Sequence, residues 1–155
     1  MASNDSCVRI IWGGVTGQEN GAPVARQGAA YNPAADRWRL LPESPIPSRK
    51  WPTANWTGSQ VLVSSGSDLA SYDPGSDRWE LLPSGPLLPT EATAVWTGRE
   101  LIALTSAGAA SYQPDTRSWR TLPSPGGVRM FYDRRLVWTG EAAYSFTDHL
   151  VTIRP

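Results

Sequence analysis

Few side chains in this sequence could run a reaction. His149 is the only histidine and Cys7 the only cysteine. A Ser-His-Asp or Cys-His relay would have to be built on these two groups alone, and they stand at opposite ends of the chain. The simpler reading makes His149 a surface residue on a last strand. A single cysteine forms no intrachain disulfide and no multi-cysteine zinc site. The 14 acidic residues could supply a carboxylate pair for glycoside chemistry, but Asp36 and Asp77 recur at one position of a repeat and read as turn residues. Asn55-Trp56-Thr57 fits the glycosylation acceptor pattern, yet it falls inside an expected strand and reads as a chance match. The glycine-rich stretches lack phosphate-loop spacing. The sequence calls for no catalytic residue, no metal and no cofactor, which leans against an enzyme.

Binding chemistry is better represented. Arg49, Lys50 and Trp51 lie together in one proline-rich segment, Glu91 in a second, and Arg129 runs into Met130-Phe131-Tyr132 in a third. Cations beside aromatic rings are the composition favoured at interaction hot spots. These five residues, Arg49, Lys50, Trp51, Glu91 and Arg129, are the candidate binding residues. Each of the three segments follows a Leu-Pro, and they differ from one another more than their surroundings do.

The surroundings repeat. Tyr31-Asn32-Pro33-Ala34-Ala35-Asp36-Arg37-Trp38-Arg39-Leu40-Leu41-Pro42 returns as Tyr72 to Pro83 and, more loosely, as Tyr112 to Pro123. Trp-Thr-Gly stands at Trp56, Trp96 and Trp138. Two motifs holding one period of about 40 residues mark a repeat architecture. Each unit reads as four short strands: a small-residue or apolar strand ending at Trp-Thr-Gly, an apolar run such as Leu101-Ile102-Ala103-Leu104, a strand ending at Tyr, and one carrying the second Trp. Pro with Asp, Ser or Gly after the Tyr suits a tight turn. Four antiparallel strands per unit is the arithmetic of a propeller blade, and rings placed once per unit fill the wedge between neighbouring sheets.

With these residues in hand, the chain resembles the kelch-repeat family. Kelch blades show an apolar strand ending in Gly-Gly, then Tyr-Asp, then a Trp about six residues on. Ile10-Ile11-Trp12-Gly13-Gly14 and Tyr72-Asp73 with Trp79 carry that pattern; Ser65-Gly66, Thr105-Ser106, Asn32 and Gln113 depart from it. The resemblance implies an all-β fold of kelch-type β-propeller blades, similar to the central domain of galactose oxidase. About 3.5 four-stranded antiparallel blades are expected, a partial ring or one completed by oligomerisation. One domain, 1–155, holds units at approximately 8–42, 51–83, 91–123 and 129–155. Copper radical oxidases on this fold need a pair of histidines, two tyrosines and a cysteine, which this chain cannot supply. Ser71-Tyr72-Asp73-Pro74-Gly75 echoes the sialidase box, but Trp79 falls one residue late.

Charge and hydropathy narrow the partners. Basic and acidic residues balance at 14 each, which argues against gripping nucleic acid or an anionic membrane as the main task. No window approaches the roughly 20 apolar residues of a membrane span. The polar N-terminus has no signal-peptide character, so a cytoplasmic location is expected. The sequence expectation is a non-catalytic interaction module binding a protein or carbohydrate partner through inter-blade loops, with unpaired end sheets that imply either a homo-oligomer or missing blades of a longer ring. The alternative is a carbohydrate-active propeller enzyme such as a sugar epimerase or mutarotase.

Overall fold

The computed structural model describes residues 8–14, 24–25, 27–48, 52–86, 92–105, 108–123, 135–146 and 150–155. Within them the chain is all β, in four antiparallel sheets that follow one another in sequence. The first holds β1 (Arg9–Trp12), β2 (Gly28–Asn32) and β3 (Arg37–Leu40); the second holds β4 (Thr53–Trp56), β5 (Val61–Ser65), β6 (Asp68–Asp73) and β7 (Arg78–Leu82). The third holds β8 (Thr93–Trp96), β9 (Leu101–Thr105), β10 (Gly108–Gln113) and β11 (Ser118–Leu122); the fourth holds β12 (Leu136–Trp138), β13 (Ala143–Phe146) and β14 (Leu150–Ile153). The described strands form no closed ring. Among the described residues no helix is long and apolar enough to cross a membrane.

Register explains the periodic residues. Tyr31 pairs with Trp38, Tyr72 with Trp79 and Tyr112 with Trp119 as direct cross-strand partners. Their ring centroids lie 4.9, 5.0 and 5.4 Å apart, in the range where tilted aromatic pairs attract. The Thr of each Trp-Thr-Gly closes the following turn. Thr57 Oγ1 donates to the Gln60 carbonyl at 3.0 Å, and Thr97 and Thr139 do the same to Glu100 and Ala142. Gly58, Gly98 and Gly140 follow with φ of 104°, 95° and 100°, a backbone that side-chain-bearing residues rarely adopt. Thr-Gly is therefore a turn requirement, repeated because the turn is repeated.

The sheets pack face to face, and alternation along a strand decides which neighbour each residue meets. Val61 and Val63 of β5 join Trp12, Ala30, Leu41 and Ile46 of the first unit. Leu62, between those valines in sequence, points the other way and joins Leu69 and Leu82 against Leu101 and Tyr112 of the third sheet. Ile102, Leu104, Ala109 and Leu122 then meet Leu136, Ala143, Val151 and Ile153 of the fourth. Strands β5 and β9 are buried along their whole length, as strands covered on both faces must be. The Trp-Thr-Gly strands β4, β8 and β12 approach one another in turn, so they form the inner edge of the stack, and β3, β7 and β11 the outer edge.

Candidate binding faces

At the first two junctions, the outer strand of one sheet meets the β-turn of the next. Trp79 Nε1 donates to the Pro42 carbonyl at 2.9 Å, and Trp119 Nε1 to the Pro83 carbonyl at 2.8 Å. The indole is therefore more than wedge filler, because it also pins the Leu-Pro of the sheet in front. The residues after Trp38 and Trp79 reach the turn residues of the next sheet held in the left-handed conformation, Asp77 and Arg117, at φ of 56° and 52°; Asp36, at 49°, is the corresponding turn residue of the first sheet. Arg39 bonds Asp77 at 2.7 Å across the first junction. Glu80 receives Arg117 at 2.6 Å across the second, with the charges exchanged. Arg120, the corresponding residue of the third sheet, instead turns back onto the nearly buried Glu100 at 3.0 Å.

The first junction carries the fullest polar network. Tyr72, fully buried as a residue, donates its hydroxyl to Asp77 Oδ1 at 2.5 Å and accepts from Arg39 Nη2 at 2.9 Å. The Tyr72 bond, then Arg39, holds the Asp77 carboxyl below the usual carboxylate range. Burial pushes the Tyr72 phenol up. Asp73 is also lowered, by the Ser76 hydroxyl and the Gly75 N–H. It bonds Ser76 Oγ at 2.7 Å and Gly75 N at 2.8 Å. Asp73 caps its own turn, which is why the sialidase-like spelling around it is a turn signature.

The first two expected binding loops leave β3 and β7, and their described roots are fixed. Besides the two indole bonds, Ser65 Oγ donates to the Pro47 carbonyl at 2.9 Å, and Gly85 N donates to the Ser67 carbonyl at 2.7 Å. Arg49, Lys50, Trp51, Glu91 and Arg129 all lie outside the described residues, as do His149 and Cys7. Asn55 is described, and its Nδ2 is buried without a partner, a poor placement for a glycan acceptor.

The opposite end holds a feature that the sequence reading did not single out. A half-open cleft of about 320 Å³ lies between the second and third sheets, lined by Thr57, Ser59, Gln60, Leu62, Trp96, Gly98, Arg99, Pro114 and Asp115. It sets one indole among hydroxyl, amide, guanidinium and carboxylate groups. The only sequence signal for it is that Ser59, Arg99 and Asp115 vary inside turns whose frames are constant. Among the described residues no group of three or more His, Cys, Asp or Glu side chains is placed to hold a metal. No protein-family model matches this chain, and comparison with curated proteins gives no match.

Proposed function

We propose that the chain is a section of a kelch-type β-propeller working as a non-catalytic interaction module, with a protein or glycan partner held on the loops between blades. The observation that carries this reading is a division of labour. Tyr72, Trp79, Trp119, the Thr-Gly pairs, Pro42, Pro83 and the charged turn residues Asp77 and Arg117 are engaged in turns or sheet-to-sheet contacts. The residues left over are the ones that differ from unit to unit. Loops that vary on a rigid frame are where binding residues concentrate, and roots pinned by Trp79, Trp119, Ser65 and Ser67 lower the ordering cost of binding through them. The cleft supports the glycan arm, since planar polar side chains around an indole suit a polyhydroxylated ligand.

The test is a glycan array alongside affinity capture with the whole chain, repeated with Arg49→Ala, Lys50→Ala and Trp51→Ala combined. The triple variant should lose the bound partner and keep its melting temperature within a few degrees. Undiminished binding would overturn the loop assignment. A collapse in stability would make Trp51 part of the packed stack.

A further inference from the structure

The repeat supplies an internal control for the cleft between the second and third sheets. The three Trp-Thr-Gly turns share one frame, with the same Thr-to-carbonyl bond in each. The residue after the glycine is nevertheless Ser59, Arg99 or Glu141, so the turn itself does not call for a guanidinium. The turn after each Tyr behaves alike. Ala34, Gly75 and Asp115 are equivalent there, so that turn does not call for a carboxylate. Asn32 and Asp73 cap the first two of these turns from an earlier position, and Asp115 has no such role.

Arg99 and Asp115 are both exposed, and both line the cleft of about 320 Å³. Among the described residues neither side chain has a hydrogen-bond or ion-pair partner. Arg39 and Asp77, Arg117 and Glu80, and Arg120 and Glu100 close to 2.7, 2.6 and 3.0 Å. Arg99 and Asp115 stay apart, which leaves each available to a ligand group. The same cleft is lined by Ser59, Gln60 and Trp96. Trp96 is half-buried and braced against Leu62, Leu101 and Tyr112, so its ring is held in place.

We infer that this cleft binds a saccharide that carries a carboxylate, of the hexuronic acid class. A sugar ring offers an apolar C–H face to an indole and hydroxyls around its rim. Arg99 takes the carboxylate through paired N–H···O bonds, Asp115 accepts from ring hydroxyls, and Ser59 and Gln60 both donate and accept. A free amino acid or dipeptide would engage the two charges but use less of Ser59, Gln60 and the indole. The inference deepens the glycan arm of the proposed function and rests on it. It fails separately, because none of Arg49, Lys50 and Trp51 is among the residues that line the cleft.

Titration of the ¹⁵N-labelled full chain, followed by NMR, tests it. The probes are cellobiouronic acid and cellobiose, which differ by one carboxylate in place of a hydroxymethyl group. The acid should bind about tenfold more tightly or better, and Arg99→Gln should erase that preference. Asp115→Asn should weaken cellobiose about threefold and leave the preference in place. Both variants change exposed turn positions and should melt like the parent. Glu141→Gln, the equivalent of Arg99 outside the cleft, should bind like the parent, and so should the Arg49→Ala, Lys50→Ala, Trp51→Ala triple variant. No binding of either sugar, equal affinity for the two, a preference that survives Arg99→Gln, or an unweakened Asp115→Asn would overturn the inference. So would tighter binding of alanylalanine than of cellobiouronic acid, or loss of sugar binding in the triple variant. A triple variant that keeps both its protein partner and its sugar binding would instead overturn the loop assignment alone.

Discussion

Replacing Tyr72 by Phe keeps the buried ring and removes one oxygen. Two hydrogen bonds go with it, the donation to Asp77 at 2.5 Å and the acceptance from Arg39 at 2.9 Å. The ring pair with Trp79 and the Arg39–Asp77 contact at 2.7 Å remain. Bonds to charged groups contribute about 1.5–3 kcal/mol each when well shielded. Here both charged partners keep about half of their side-chain surface in water, at 44% and 50%, so water takes over part of each bond. An expected loss of about 1–2 kcal/mol for the pair follows. For a domain of this size that lowers the melting temperature by roughly 2–8 °C. Tyr31→Phe is the matched control at the same repeat position. It removes the exposed bond to Asp36 at 2.8 Å and should lower the melting temperature clearly less than Tyr72→Phe does. Thermal melts of both variants by far-UV circular dichroism give the comparison. Equal losses would refute the reasoning, since the difference is assigned wholly to the neighbouring sheet.

Other consequences follow from the same contacts. The folded-state pKa of Asp77 is depressed, so its contribution to stability is present above the ordinary carboxylate value near 3.9. That contribution fades as pH falls through the lower folded-state value; Asp77→Asn should flatten this acid limb in pH-dependent urea unfolding. Glu80→Arg sets like charges against Arg117 and should lower the melting midpoint by a few degrees at low salt, and adding Arg117→Asp should recover it, because the first junction already uses that polarity. Gly28→Ala would bring a methyl within 2.7 Å of the Ile11 carbonyl and 2.8 Å of Leu41. Overpacking of that kind costs about 1–3 kcal/mol, readable as a lower urea midpoint with unchanged slope.

Local spacing made much of the fold legible. The 40-residue period located the strands, and the Thr-Gly and Tyr-to-Trp motifs located their turns, because these features depend on residues only a few positions apart. Asp36 and Asp77 read as turn residues and are so, with positive φ. Their second role was hidden, because Arg39 and Asp77 stand 38 residues apart. The third unit puts Arg117 at the same φ, so only the facing Glu80 explains its charge. The purpose of the Leu-Pro carbonyl was likewise invisible until Trp79 and Trp119 were seen to reach back 37 and 36 residues for it. The cleft was missed for a related reason. Its walls come from turns of two units, and Ser59, Arg99 and Asp115 look unremarkable one at a time.

The stack itself can be measured with three equivalent positions, Ser59, Arg99 and Glu141, each following the glycine of a Trp-Thr-Gly turn. With Cys7 replaced by Ser and cysteines introduced pairwise at these sites, spin labels report three distances by double electron–electron resonance. A propeller section requires equal 59–99 and 99–141 distances, and a 59–141 distance clearly shorter than their sum because the sheets turn about a common axis. A 59–141 distance equal to the sum would make the stack a straight row. Unequal neighbour distances would show that the units are not equivalent, and either result would contradict the account.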